Sequence, residues 1–386
     1  MTRLAVIGAG TAGCFSTSHF LGHTNWDIDW YIDPKTKPQA VGEGSNLLLP
    51  AALDRNIGFS ILDLDQVDGT FKTGLKKQNW GTHSETYYHL FTPGRVGYHF
   101  NAIRLQNYLR ERFRTNPRVR IVEQAVIDHD SVDADLVLDC SGRPTDLTDF
   151  YRAEYIPVNS VHVTQCFWDY QRFNYTLTIA RPYGWVFGIP LQNRCAIGYM
   201  YNNTINSLDD VKQDVQMIFD EYNLTPSDTT NTFSFANYYR RENYTGRVAY
   251  NGNASFFLEP LEATSIHFMD TTHRIAYDVF RGGMSIEQGC AEYLRKIREV
   301  ETVIMMHYAA GSPFKTEFWQ FAQHRGQECL QQSLTNPDFQ QILAHAANYT
   351  ASSPKLEFGT WDLYSFPINI QALGLWDQIK ERQHAT

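Results

Sequence analysis

Apolar and polar positions in this chain follow successive patterns, each with its own period. Residues 3–8 (RLAVIG) are a short, mostly apolar run of the buried-strand type. Glycines follow, then an amphipathic stretch to about Leu21, then residues 27–32 (DIDWYI), which alternate as a second strand. Strand, glycine turn, helix and strand in that order open a doubly wound α/β domain. Residues 101–114 (NAIRLQNYLRERFR) have the period of an amphipathic helix, and strands are expected near 119–127 and over 135–140 (DLVLDC).

The pattern changes after about residue 150. VHVTQCFWDY, YTLTIARP, WVFGIPL and CAIGYMY are short, alternating and rich in β-branched and aromatic residues, which predicts an antiparallel sheet. A helix over about 207–222 opens with Ser207 and two aspartates, a good N-terminal signal. From about residue 283 the period is mostly helical. The expected fold is therefore α/β: a doubly wound, Rossmann-like domain with an inserted antiparallel sheet and a C-terminal helical region. Residues 1–150 and 245–282 would form the first domain, 151–244 the sheet domain and 283–386 the helical cap.

Composition narrows the partners. With 43% hydrophobic and 19% charged residues the chain is globular rather than disordered. A net charge of -9 disfavours nucleic acid and anionic membranes, and no run of 18 apolar residues could span a bilayer. The six cysteines lie far apart and form no CxxC pair, which speaks for reduced thiols and against a zinc site, and no metal is expected. Met1 leads straight into a strand without a signal peptide's apolar core, so a cytoplasmic location, in a cell or a host, is expected. Aromatics reach 14%, which suits a site for flat substrates, although core packing uses them too.

Gly8-Ala9-Gly10-Thr11-Ala12-Gly13 is a GxGxxG between a strand and a helix. The first glycine permits the tight turn, the second lets a pyrophosphate approach the backbone, and the third lets helix and strand touch. The helix N-terminus then faces phosphate charge. Asp33 lies twenty residues past Gly13, where an acid can bind a ribose hydroxyl. The turn alone does not decide between FAD and NAD. DLVLDCSG (135–142) is a strand ending in small residues, of the kind that returns beneath a dinucleotide.

Further along, VGEGSNLLLP, with Gly42, Glu43, Gly44 and Ser45, is similar to the flavin-contacting strap of flavin-dependent halogenases. FKTGLKKQNWG resembles the segment carrying that family's catalytic lysine, here Lys72. Gly184-Trp185-Val186-Phe187-Gly188-Ile189-Pro190 resembles the family's WxWxIP signature, with Phe187 in place of the second tryptophan. FFLEPLEATSIHF (256–268) is similar to FLEPLESTGI, and His307-Tyr308 with Glu317-Phe318-Trp319 resembles a later helical stretch. The matches run in order from about residue 5 to 320, and the last sixty-odd residues match only faintly.

The resemblance implies FAD, used as FADH2 with O2 to oxidise a halide to hypohalous acid, and a separate flavin reductase. It implies that Lys72 receives the oxidant and that Glu262 orients it or takes the proton from an aromatic small-molecule substrate. Thr264 and Ser265 would hold the halide through backbone N–H groups, and Trp185, Phe187, Ile189 and Pro190 would line the wall between flavin and substrate. A haloamine on Lys72 needs the neutral amine, which at an ordinary pKa of about 10.4 is roughly one lysine in a few thousand at pH 7. Burial, or Lys76 and Lys77 facing it, would lower that pKa. The family commonly has glycine where Ser265 stands. If Ser265 forces the turn open, small, strongly hydrated chloride loses contacts that offset its desolvation, and bromide or iodide is expected to react better. The competing readings are a flavin monooxygenase that hydroxylates an aromatic ring, a non-catalytic FAD-binding protein and, last, an NAD dehydrogenase.

Overall fold

The computed structural model describes residues 2–36, 43–350 and 352–384. They fall into two compact units. The first comprises Met1–Gly69, Gly97–Arg152 and Tyr238–Arg295, and the second Thr70–Val96, Ala153–Asn237 and Lys296–Thr386. The stretch 1–150 thus contributes to both.

The first unit is built on a six-stranded sheet in the order Tyr244–Thr245, Val248–Tyr250, Leu136–Asp139, Arg3–Ile7, Asp27–Tyr31, Val119–Val122. Every neighbouring pair is parallel except the first. Leu4 lies between Ile28 and Leu136, and Leu4, Ala5 and Val6 are completely buried, as the apolar run required. Helix Thr11–His23 differs from expectation. It is buried from Thr11 through Leu21 rather than along one stripe, because helices Leu48–Ile57, Ala102–Arg114 and Thr264–Phe280 all pack on it. Helix Ala102–Arg114 does carry the predicted stripe, capped by the Asn101 side chain, which accepts from the Arg104 N–H at 3.2 Å. The strand expected over 119–127 ends at Val122, and the chain then turns through the short 3-10 helix His129–Ser131. A small sheet of Phe256–Phe257, Tyr238–Arg240 and Phe150–Arg152 and the strand Gly97–His99 also belong to this unit.

In the second unit a seven-stranded sheet runs Thr225–Ser234, Ser160–Phe167, Arg194–Tyr201, Gly184–Pro190, Thr176–Arg181, Gly74–Gln78, Thr86–Leu90. All its pairings are antiparallel except that of Thr176–Arg181 with Gly74–Gln78. That parallel pair brings the segment around Lys72 into this unit. Helix Leu208–Glu221, capped by Ser207, buries Val211, Val215, Ile218 and Phe219 against Ile179, Val186, Ile197 and Tyr199. Because strand side chains alternate, Trp185, Phe187 and Ile189 belong to the opposite face from Val186. The C-terminal part is helical as expected, with Glu317–Ser333, Pro337–Ala346, Ser365–Leu373 and Leu375–His384.

Candidate active site

The glycine turn has three differently constrained positions. Gly8 has φ +115°, and a Cβ there would collide with the Cys140 carbonyl. A Cβ on Gly13 would strike the Gly8 carbonyl oxygen, which also accepts from Trp30 Nε1 at 2.8 Å. Around Gly10, by contrast, nothing lies within 4 Å of a Cβ. Gly10 is the N-cap of helix Thr11–His23, and no side chain caps that end. An open backbone at a bare helix N-terminus fits a pyrophosphate. Thr11 is held by Gln106 Nε2, which donates to its hydroxyl at 3.0 Å, and Ala12 packs where a Cβ on Gly252 would go. The strand Leu136–Asp139 of DLVLDCSG lies beside Arg3–Ile7, and Cys140 donates its N–H to Ile7 at 2.7 Å.

Asp33 follows the second strand, and its carboxylate is engaged locally. It accepts from the Lys35 N–H at 2.9 Å and the Thr36 hydroxyl at 2.8 Å, bonds that hold its pKa below the usual carboxylate value. Of the strap, Gly42 lies outside the described residues. Glu43 and Ser45 are buried, Gly44 bridges to His99, and Ser45 and Tyr98 exchange two bonds: Ser45 N–H to the Tyr98 carbonyl at 2.8 Å and Tyr98 N–H to the Ser45 hydroxyl at 2.7 Å. Asn46 caps helix Leu48–Ile57 through its Oδ1, while its Nδ2 is 3.4 Å from His267 Nδ1 on helix Thr264–Phe280.

The EPLEATS segment is backbone-strained. Glu262 (φ 66°, ψ 20°) and Ala263 (φ 55°, ψ 35°) are consecutive left-handed residues that carry a Cβ. Each such residue costs about 1–3 kcal/mol, and strain of this kind gathers at functional sites. Glu262 is 8% exposed. Helix Thr264–Phe280 begins immediately afterwards without a side-chain cap, and the Thr264 hydroxyl donates to the Glu259 carbonyl at 2.9 Å. Ser265 stands in the first turn of that helix and is not among the left-handed residues. The φ of Ser265 therefore does not require glycine, and the bromide and iodide expectation draws no support from a positive φ at this position.

In the second unit Lys72 is 1% exposed, with its ammonium 5.7 Å from the centre of the Phe91 ring. The Thr70 hydroxyl, two residues earlier, donates to the Pro190 carbonyl at 2.7 Å. Lys76 and Lys77 are engaged elsewhere. Lys76 Nζ donates to the Tyr222 hydroxyl at 2.8 Å. Lys77 is fully buried and donates to Asn369 Oδ1 at 2.7 Å. It also meets His307 Nε2 at 2.8 Å, whose Nδ1 faces the Val303 carbonyl at 2.9 Å, so the ring proton belongs on Nδ1. Trp185 is buried, with ring centres 6.3 Å from Trp80 and 6.1 Å from Phe187. Trp80 also meets His307, Tyr308 and Trp319 at 5.4–5.5 Å. Phe187 and Ile189 are half-buried, and Pro190 is buried. Sequence reading passed over Thr70, Trp80 and Phe91. Only Trp80 left a signal, as the tryptophan closing the lysine segment.

A parallel sheet feeding an open glycine turn at a bare helix N-terminus places the first unit in the α/β class. More narrowly, the chain belongs to the tryptophan halogenase family, whose model matches residues 3–121 and 97–346. It is 26% identical over 257 residues to tryptophan 7-halogenase RebH of Lentzea aerocolonigenes, an alignment taking in 58% of this chain and 47% of that protein. The chain thus spans about half the length of the curated relative it matches. The fold is similar to that of BrvH, a flavin-dependent halogenase from Brevundimonas sp. BAL3, with a TM-score of 0.78 at 17% identity over 97% of this chain and 90% of that one. It is equally similar to a tryptophan halogenase from Shewanella frigidimarina NCIMB 400, with a TM-score of 0.78 at 16% identity over 100% and 94%. Among the described residues, no helix is long and apolar enough to cross a membrane.

Proposed function

We propose that this chain is an FADH2-dependent halogenase acting on an electron-rich aromatic small molecule. The observation that carries the reading is Lys72, a lysine withdrawn from solvent in the segment where the family resemblance places the oxidant's acceptor. Gly8, Gly10, Thr11, Ala12 and Gly13 would hold the FAD pyrophosphate, Asp33 the ribose, and Gly42, Glu43, Gly44 and Ser45 the flavin. Reduced FAD, when bound, supplies with O2 the oxidising equivalents that turn halide into hypohalous acid.

The protein's own part is containment and proton management. Backbone N–H groups of Thr264 and Ser265, at an uncapped helix N-terminus, suit an anion. Lys72 would take halogen from hypohalous acid and release water, then pass it to the ring and regain its amine. The ring loses one proton in that exchange, which Glu262 is the carboxylate proposed to accept, and a proton from solvent restores the second N–H of the Lys72 amine. Trp185, Phe187 and Ile189 would present an apolar wall from one face of their strand, with Pro190 at its end. A separate flavin reductase would supply FADH2, and the reaction would run in the cytoplasm. Halide is proposed as a class, because Ser265 offers no backbone ground for preferring bromide or iodide to chloride.

The test is mass spectrometry of a phenol and indole panel incubated with reduced FAD, O2 and each halide in turn. Halogenated product that depends on added halide supports the reading. Hydroxylated product without halide would make the chain a flavin monooxygenase, and FAD binding without turnover a non-catalytic flavin protein.

A further inference from the structure

Helices Thr11–His23 and Thr264–Phe280 of the first unit pack together, and three side chains with metal-ligating atoms converge from them. His19 comes from the first helix, and Asp270 and His273, one turn apart, come from the second. Their ligating atoms all lie within 4.8 Å of one another. We propose that His19, Asp270 and His273 form a site for a divalent first-row transition-metal ion, typically zinc, that clamps these two helices together.

Two imidazoles and one carboxylate suit Zn²⁺ or its neighbours, not Mg²⁺ or Ca²⁺, which take oxygen ligands. Both histidines are buried, with exposures of 7% and 2%, and their ring centres lie 4.8 Å apart. Histidine binds such an ion as the neutral imidazole, through the lone pair of one ring nitrogen. The Ser16 hydroxyl stands 2.7 Å from His273 Nε2, which fixes the ring and leaves Nδ1 for a metal. His23 stacks on His19 at 4.2 Å between ring centres, and its own Nδ1 is 2.8 Å from the His19 carbonyl. Arg274 lies 3.4 Å from one oxygen of Asp270, and a carboxylate can serve a cation with its other oxygen.

Three protein ligands leave one tetrahedral position for water. A cavity of about 30 Å³ lies at the cluster, bordered by His19, Asp270 and His273 and also by Ser18 and Asn56. That is room for a water molecule, which needs roughly 10–15 Å³. Ser18 Oγ and Asn56 Oδ1 are buried there without a hydrogen-bond partner, and Ser18 is 2% exposed. An unsatisfied buried oxygen costs about 1–3 kcal/mol, and a metal-bound water supplies the protons that both could accept. These unpartnered atoms are the independent sign that the cluster is made to hold something.

The experiment uses the full chain, stripped with chelator and titrated with CoCl2 and ZnCl2 in the absence of flavin and halide. Expected are one Co²⁺ per chain with the intense visible absorption of a four-coordinate site, its displacement by Zn²⁺, and a thermal midpoint that rises with Zn²⁺. Asp270→Asn, at a half-buried position that leaves the core intact, should bind Zn²⁺ at least roughly tenfold more weakly, and Ser16→Ala roughly 10- to 100-fold more weakly, the range seen for outer-shell partners. Circular dichroism shows that the variants remain folded. If no visible band forms in wild type, or if Asp270→Asn and His19→Asn both bind Zn²⁺ as wild type does, the cluster is a packed histidine stack and the proposal is wrong.

Discussion

The Thr70 hydroxyl donates a 2.7 Å hydrogen bond to the Pro190 carbonyl, so the segment bearing Lys72 is fastened to the end of the Gly184–Pro190 strand. Two stretches 120 residues apart in sequence are joined by one buried bond. Thr70→Val keeps the shape and removes the donor, leaving the carbonyl without it. Stability should fall by about 1 kcal/mol in urea denaturation. Halogenation should fall further than FAD affinity, because the lysine loses its anchor and the glycine turn does not. Equal losses in both would show that the bond does not position Lys72.

Gly10→Val separates ligand from fold. Nothing lies within 4 Å of a Cβ at this position, so the thermal midpoint should hold while FAD affinity collapses. Gly13→Ala is the opposite case: its Cβ meets the Gly8 carbonyl oxygen, and the protein should be strongly destabilised. Flavin fluorescence titration beside thermal unfolding distinguishes the two. Undiminished FAD affinity in Gly10→Val would sink the pyrophosphate assignment.

Lys72→Met fills the same buried volume without an amine. It should retain FAD binding and flavin oxidation and lose halogenated product. Glu262→Gln should cost less, roughly 10²- to 10⁴-fold in turnover. Wild-type halogenation by Lys72→Met makes the lysine structural.

Ala263→Gly tests the strain. A left-handed alanine costs about 1–3 kcal/mol, and glycine removes that while adding roughly 0.4–1 kcal/mol of unfolded-state entropy. The net expectation is a gain of about 1 kcal/mol in stability. A loss would mean that the turn stores no strain.

The frame of the first unit was legible because RLAVIG, the glycine turn and DIDWYI impose one topology between them. The position of Ser265 relative to the left-handed residues was not legible, for a physical reason. The resemblance located a turn in EPLEATS, but which of its residues adopt positive φ depends on where the helix starts, and that begins at Thr264. Burial of helix Thr11–His23 on all sides was equally hidden, since an amphipathic stretch predicts one exposed face and polar Ser16, Thr17 and Ser18 are buried instead. Those serines and His19 belong to the cluster with Asp270 and His273, residues some 250 positions away that no local pattern could join to them.

Glu301 gives the second unit a pH response. Burial pushes its carboxyl from 4.5 up to about 7. Between those values the folded chain holds a proton that the unfolded chain has released, so stability falls as pH rises through that window. Below pH 4.5 both states are protonated and the effect vanishes; above 7 it is complete, at up to about 3 kcal/mol. Glu301→Gln should therefore match wild type near pH 4.5 and exceed it above pH 7 in urea denaturation. Parallel stability profiles across that range would contradict the assignment.

Each compact unit is assembled from three separate lengths of chain, and this sets the order in which a growing polypeptide can fold. Strand Val248–Tyr250 completes the parallel sheet beside Leu136–Asp139, so the first unit cannot close when only the first 150 residues of the chain have emerged. Until then the apolar flank of Val137 stands open, and the Thr70–Val96 segment waits for Thr176–Arg181 to pair with it. Pairings of such long sequence separation are slow and leave strand edges exposed to aggregation. Production of this protein should accordingly respond more to slowed translation and chaperone supply than to shortening of the chain, since a fragment ending before Arg295 lacks part of the first unit and one ending before the C-terminal helices lacks part of the second.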